Sequence, residues 1–414
     1  MIPPAMERLK GLILTTLVCV AVQGLSCPRV AAQTDKTPWS LKAGADRMTI
    51  GSFRDSYTST GFNSYTLELD YATDPSNGTD GFAAGYNYPV FGIGITFNTL
   101  SDVVFRSGKG HYSDMVALYG KMSRDLLRTR HLGFGYDISL GLSYSSGYYD
   151  PIENRSNWFF SAPVLFYAAG GGHLTWFVLP RLDIEAGINV RHNSSARFAY
   201  PNGGLNYWGG GLAARYRFKE RIAPKGNILR TRRISGDMYR KGWNYEVYAG
   251  GGVHACAAEW LAFTKTESRE TQAKTNLRKW PMASLSADAI YRISGRFGAG
   301  FTADAFWNSN TERLRWADSI LYSEEENATS KGYSPFSFGV GLVQEIFYNN
   351  VALYVQEGIY LQRKMGIHGE HGWLYERAGI RYYPEALHPF FVSICIKAHK
   401  FKADYMDFSV GIRF

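Results

Sequence analysis

Apolar and polar residues alternate with a period of two along most of the chain. In the segment from His131 to Tyr144, apolar residues stand at every even position, and glycine, serine or aspartate fills the odd positions after His131. Such a segment forms a β-strand with one apolar face and one small or polar face. Small and charged residues on the second face are typical of a membrane barrel with a wet lumen. Similar runs are Tyr65–Tyr71, Phe91–Phe97, Leu285–Ile293, Phe297–Ala305, Phe390–Ala398 and Met406–Phe414.

The alternating segments predict about 14 antiparallel strands, with a range of about 12 to 16. The segments are 87–99, 112–124, 131–144, 162–178, 181–194, 206–218, 243–256, 282–294, 296–308, 334–348, 350–362, 372–383, 388–399 and 404–414, and 41–53 and 62–71 can add two more. From 131–144 onward, short and long connections mostly alternate, as they do in outer-membrane barrels. We therefore expect an all-β, antiparallel transmembrane β-barrel of the bacterial outer membrane, with one barrel spanning 62–414.

The first residues have the features of a secretory signal peptide. Arg8 and Lys10 precede the apolar stretch Gly11–Leu25, and the small residues of Val30–Ala32 suit a cleavage site. We expect cleavage near Ala32, so that residues 1–32 are a signal peptide and residues 33–61 form an N-terminal segment with a further strand. Export together with a barrel predicts the outer membrane as the location.

Composition and charge narrow the function classes. Aromatic residues make up 15% of the chain and its net charge is +9. A disordered chain is poor in aromatic residues, so this composition excludes disorder. Mild basicity fits an anionic lipid surface as well as it fits nucleic acid, and export argues against nucleic acid. Lone acids on the polar strand faces, such as Asp137, Asp288 and Asp304, are interpreted as solvated residues of a pore wall.

A basic segment interrupts the strand pattern near the middle of the chain. From Arg215 to Lys241 there are ten lysine or arginine residues against two acids. Counting strands places residues 219–242 in the periplasm. The segment either contacts anionic lipid or cell wall, or forms a solvated turn with a small helix.

One short stretch combines the residues of a nucleophilic site. The apolar face of segment 181–194 ends in His192 and Ser194, and Asn206 begins the next strand on the same side. A serine hydroxyl becomes a nucleophile when a base such as histidine removes its proton. This arrangement predicts acyl transfer at the lipid-facing surface, near the outer end of the barrel. The alternative is a pair of interfacial polar residues that make only local hydrogen bonds.

The motif around these residues resembles the lipid A 3-O-deacylase family of outer-membrane barrels, often labelled acyloxyacyl hydrolases. His192-x-Ser194 is followed by Pro201-Asn202-Gly203-Gly204-Leu205-Asn206, close to the family's H-x-S-N and P-N-x-G patterns. The resemblance is best over about 131–218. The segment from Lys397 to Phe414 looks like the longer family members.

The resemblance implies a role for each residue of the motif. Ser194 would be the nucleophile, His192 the general base and Asn202 a donor to the oxyanion. Asn206 stands where the best-studied branch has a glutamate that orients the histidine, and Ser195 replaces the asparagine that commonly follows the serine. No cofactor or metal is implied.

These residues and the resemblance together predict a serine esterase that removes an ester-linked acyl chain from lipid A or lipopolysaccharide. Its expected partners are lipopolysaccharide in the outer leaflet, the outer membrane and the barrel-assembly machinery, with no nucleic acid. The alternative is a non-enzymatic barrel, either a channel, a surface-binding protein or a degenerate relative of the deacylases.

Overall fold

The computed structural model describes residues 38–51, 57–73, 81–107, 110–221, 239–266, 279–369 and 372–414. The signal peptide at 1–32 and most of the basic segment at 219–242 therefore lie outside the described residues. Among the described residues, no helix is long and apolar enough to cross a bilayer.

The chain folds into two closed, antiparallel eight-stranded barrels, one after the other in sequence. The strands of the first unit are β1 (Trp39–Ile50), β2 (Tyr57–Ser59), β3 (Gly61–Ala72), β4 (Val90–Asn98), β5 (Val104–Phe105), β6 (Met115–Arg128), β7 (Leu132–Ser145), β8 (Val164–Leu179), β9 (Leu182–Ser194) and β10 (Leu205–Arg217). The first barrel omits the short pair β2–β5 and is closed by pairing of β1 with β10.

The second barrel consists of eight consecutive strands, and it is closed by pairing of β11 with β18. These strands are β11 (Gly242–His254), β12 (Trp280–Arg292), β13 (Phe297–Asn308), β14 (Phe336–Tyr348), β15 (Val351–Gln362), β16 (Leu374–Tyr382), β17 (Phe390–His399) and β18 (Lys402–Arg413). The described helices are α1 (Gly81–Gly85), α2 (Ala257–Thr266), α3 (Thr311–Leu321), α4 (Glu324–Ala328) and α5 (Gly366–Gly369).

The expected all-β, antiparallel architecture is confirmed, and the two rings together contain sixteen strands, at the upper end of the expected range of about 12 to 16. These strands close into two separate barrels and not into the single barrel expected over 62–414. The two additional segments became β1 and β3, and β1 closes the first barrel. Alternation and short turns specify which strands are neighbours along the chain. They do not specify which strand closes the ring, because that pairing joins residues far apart in sequence.

Each barrel is apolar outside and polar inside. On β9 the outward side chains Ile188 and Val190 are 71% and 62% exposed, whereas the inward Asp183 and Glu185 are buried. On β18 the outward Phe408 and Val410 are exposed, and the inward Asp407 and Ser409 are buried. A water-soluble barrel would bury its apolar face, so these exteriors match a lipid environment. The protein is a bacterial outer-membrane barrel protein.

The acidic side chains inside each barrel form ion pairs with basic side chains and do not face a water-filled pore. In the second barrel, Arg381 contacts Glu246 and Asp288, each at 2.6 Å, and Arg377 contacts Asp304 at 3.1 Å. In the first barrel, Asp137 contacts His173 Nδ1 at 2.8 Å. The interpretation of Asp137, Asp288 and Asp304 as solvated pore-wall residues is therefore wrong. An eight-stranded barrel has a narrow interior that its own side chains can largely fill.

One end of each barrel carries its long connections. In the first barrel these are 51–60, 99–114, 146–163 and 195–204, whereas the opposite end has 129–131 and 180–181 together with the longer 73–89. Long loops mark the outer side of an outer-membrane barrel. Buried side chains from these loops and the adjoining strand ends close the first barrel, among them Tyr57 and Tyr112, whose hydroxyls are 2.8 Å apart.

In the second barrel, α2, α3 and α5 lie in the connections at the corresponding end. Cys256, Leu314 and Met365 belong to the apolar cluster that packs these connections together.

Candidate active site

His192 and Asn206 lie opposite each other on neighbouring strands near the outer end of the first barrel. They are register partners in the β9–β10 pairing. His192 Nδ1 and Asn206 Oδ1 are 2.7 Å apart, within hydrogen-bond distance. If the imidazole carries its proton on Nδ1, it donates to Asn206 and leaves the Nε2 lone pair available as a base.

The outward position of this pair agrees with the alternation of the two strands. Val190 precedes His192 on the outward face of β9, and Trp208 follows Asn206 on the outward face of β10. Asn206 is exposed and His192 is half-buried. The imidazole and the amide therefore share the barrel's outer surface, not its lumen.

Ser194 follows His192 by two residues on β9, so it continues the same face. Its register partner on β8 is Phe166. Ser194 is 4% exposed, in contrast to the exposed Asn206. The hydroxyl expected to emerge toward lipid is thus enclosed where the strand meets its outer connection.

The strand end that carries His192 is fixed from the inside of the barrel. Arg191 donates to Asp46 and to Ser64, each at 2.5 Å. Asn193 accepts from the Ser143 hydroxyl at 2.6 Å and donates to Tyr207 at 3.0 Å. Because Arg191 and Asn193 flank His192 in sequence, these inward bonds hold the backbone that orients the imidazole.

Gly204 is a site residue that the motif contained but that sequence reasoning gave no role. Its φ is +72°, in the region that favours glycine. A Cβ atom at this position would lie 2.7 Å from His192 Cε1. The backbone of the β9–β10 connection therefore passes close against the imidazole ring, and only glycine leaves room for it.

Asn202 lies in a segment that belongs to the second unit. The chain divides into two compact units, and residues 196–202 group with the second one, whereas Gly203 and Gly204 return to the first. Asn202 is half-buried. The structure thus brings His192 and Asn206 together and assigns Asn202 to a separately packed part of the connection.

A possible metal-ligand cluster inside the first barrel already has internal partners. The ligand atoms of Asp137, His173 and Glu185 lie within 4.8 Å of one another. Glu185, however, contacts Lys42 Nζ at 2.7 Å and Arg215 at 3.1 Å. These cations balance the carboxylates, so the cluster is an ion-pair network of the lumen and does not fit a cation site.

Comparison with known families bears on the second barrel. Residues 243–414 match the family model described as acyloxyacyl hydrolase, C-terminal domain. The second barrel is therefore similar in sequence to the C-terminal domain of acyloxyacyl hydrolases. This confirms the resemblance noted for the segment from Lys397 to Phe414, while the motif of the first barrel lies outside the matched residues.

Solved structures similar to this chain include two smaller outer-membrane proteins. Neisserial surface protein A is 9% identical, with a TM-score of 0.28, over 44% of this chain and 97% of its own. The outer membrane enzyme PagL is 14% identical, with a TM-score of 0.27, over 42% of this chain and 98% of its own. No curated protein matches the chain.

The segment that matches the acyloxyacyl hydrolase family model has no His-x-Ser motif of its own. Residues 243–414 contain no histidine followed two positions later by serine. Its last hairpin, β17–β18, is connected by only Lys400 and Phe401, and His399 points inward, where Nε2 lies 2.8 Å from the Tyr360 hydroxyl. The candidate chemistry therefore belongs to the first barrel.

Proposed function

We propose that this protein is an outer-membrane serine esterase that removes an ester-linked acyl chain from lipid A or lipopolysaccharide. Ser194 is the nucleophile, His192 the general base and Asn206 the residue that orients the imidazole; Asn202 is the oxyanion donor. The observation that carries the proposal is the 2.7 Å contact between His192 Nδ1 and Asn206 Oδ1 on the outer surface of the first barrel. The acyloxyacyl hydrolase domain that follows supports the same reaction class.

The reaction proceeds in two acyl-transfer steps. Ser194 Oγ attacks the ester carbonyl carbon, and its proton passes to His192 Nε2. His192 then donates that proton to the departing sugar oxygen, which leaves an acyl-serine. Water, deprotonated by His192, hydrolyses the acyl-serine and releases the fatty acid. The amide carbonyl of Asn206 holds the imidazole but stabilises the imidazolium less than a carboxylate would.

The position of the site suits a lipid substrate. The outward side chains along β9 inward from His192 are apolar and exposed, as at Val190 and Ile188. A fatty chain can remain in the bilayer along this wall while its ester lies at the height of the outer connections. The filled lumens of the described barrels, in contrast, disfavour the alternative of a channel.

Mass spectrometry of lipid A after incubation with the purified protein tests the proposal. We expect the wild-type protein to remove one acyl chain and Ser194→Ala to remove none. Ser319→Ala, on the exposed face of α3, is the matched control and should retain the wild-type rate. Unchanged lipid A after incubation with correctly folded wild-type protein would refute the proposal.

A further inference from the structure

The backbone just before β10 is hydrogen-bonded to the β7–β8 connection, residues 146–163. The Gly203 amide donates to the Trp158 carbonyl oxygen at 3.0 Å, and the Gly204 amide donates to the Phe159 carbonyl oxygen at 2.9 Å. All of these residues belong to the first compact unit. The β7–β8 connection is therefore in direct contact with the two glycines that lead into β10.

The two carbonyl groups that accept these bonds are fixed by the residues on either side of them. Asn157 is fully buried, and its side-chain amide donates to the Gly147 carbonyl oxygen at 2.7 Å. The side-chain oxygen of Asn157 accepts from the Phe159 amide at 3.1 Å. The ring of Phe160 is buried and stacks on Tyr112, with centroids 6.0 Å apart. Loss of the Asn157 side chain would leave buried backbone groups without partners, which is costly.

This contact sets where the backbone of Gly204 lies beside the imidazole. A Cβ atom on Gly204 would be 2.7 Å from His192 Cε1, and Asn206 Oδ1 is 2.7 Å from His192 Nδ1. Backbone and amide thus bound two edges of the ring, which leaves Nε2 for proton transfer. Because Gly204 is bonded to Phe159, the position of that backbone depends on the β7–β8 connection.

We propose that the β7–β8 connection positions the His192 imidazole for proton transfer, and that Asn157 is a positioning residue for hydrolysis. This role rests on the proposed function, in which His192 is the general base. Asn157 is enclosed, so it acts through the hydrogen-bonded backbone of the two connections and not by contact with the lipid. The β7–β8 connection is thereby part of the machinery that orients the base.

The test combines hydrogen–deuterium exchange with steady-state kinetics on the full chain in detergent micelles, with purified lipid A as the substrate. For Asn157→Ala we expect faster exchange of the Gly203 and Gly204 amides and a kcat about tenfold lower, because small misplacements of catalytic groups are costly. KM should change less than about twofold, since the apolar outer wall of β9 is intact.

Gly203→Ala disturbs the same contact from the other side. Its Cβ atom would lie 3.0 Å from the Trp158 carbonyl oxygen, so the two connections must move apart slightly. We expect a lower kcat here as well. The double variant with Asn157→Ala should lose less than the product of the two single effects, because both changes weaken one contact. Gly203→Ala removes no buried polar side chain, so it supplies the same readouts if Asn157→Ala fails to assemble.

Asp150→Ala is the matched control, because the Asp150 carboxylate accepts from the Ile152 and Glu153 amides in a turn of the same connection. It should leave kcat and the exchange of the two glycine amides at wild-type values. Unchanged exchange of those amides in Asn157→Ala would overturn the holding role, whether or not the protein hydrolyses lipid A. Faster exchange with unchanged kcat would overturn the positioning role. An inactive wild-type protein would remove the proposed function and the positioning role with it, while exchange would still report the contact between the connections.

Discussion

At the scale of single residues, Gly204 and Asn206 define the surroundings of the His192 imidazole. Gly204 brings the backbone close to the ring, and the Asn206 side-chain oxygen contacts the Nδ1 atom of the ring. Sequence reasoning predicted the pairing of Asn206 with His192, because period-two alternation places both on one face. It could not predict the role of Gly204, since that role depends on how closely the connection returns past the ring.

Gly204→Ala should sharply reduce hydrolysis while the barrel still assembles. The new methyl group would displace the imidazole from Asn206, and we expect a loss of kcat/KM of about tenfold or more. The comparison is Gly332→Ala, where φ is also positive, at +86°, but no atom lies within 4 Å of the added Cβ. Equal losses in both variants, measured with a soluble ester substrate, would show that backbone strain and not the imidazole is responsible.

Asn206→Glu should raise kcat, because a carboxylate stabilises the imidazolium formed in the transition state better than an amide does. Asn206→Leu should lower it by about tenfold through loss of the hydrogen bond. Since Asn206 is exposed, neither change should alter the unfolding midpoint much. A kcat that is indifferent to both substitutions would exclude an orienting role for this residue.

At the scale of elements, polar side chains inside the first barrel hold the end of β9, whose outer face carries the candidate site. The inward bonds of Arg191 and Asn193 fix the strand end on which His192 stands. The period of two predicted this strand and its faces within two residues of their observed bounds. The helices α2 and α3 were expected only as long connections, because strand alternation and connection length do not distinguish a helix from a loop.

Arg191→Met should increase the mobility of the end of β9 and, as a consequence, lower the rate of hydrolysis. Asp46 would lose its charged partner inside the barrel, which should lower the free energy of unfolding by about 3–5 kcal/mol. Urea unfolding in micelles and amide exchange over residues 189–194 measure both effects. Arg47→Met is the control from the exposed face of β1 and should be close to neutral. Wild-type exchange at 189–194 in Arg191→Met would contradict the bracing role of the inner network.

At the scale of the whole molecule, two closed barrels replace the single ring that the strand pattern suggested. Nearest-neighbour hairpins are common to both arrangements, so the alternation pattern and turn lengths do not distinguish them. The dense charges of both signs on the inward faces were a usable signal, because they can pair only in a narrow lumen. Asp304 and Asp407, which both contact Arg377, illustrate this point.

The filled lumens predict that the protein does not conduct ions. In planar bilayers at neutral pH we expect no discrete conductance steps, because buried ion pairs such as Arg381–Glu246 occupy the interior. A porin reconstituted in parallel is the positive control. Stable, reproducible steps from the purified wild-type protein would contradict the packing described here and revive the channel alternative.

The central claim is that His192, on the outer surface of the first barrel, activates the enclosed Ser194 as a nucleophile. Labelling with a fluorophosphonate, followed by mass spectrometry of the peptides, tests this without knowledge of the natural acyl chain. We expect one adduct, on Ser194, that is lost in His192→Ala. A correctly folded protein that carries no adduct on Ser194, or whose adduct is unaffected by His192→Ala, would contradict it.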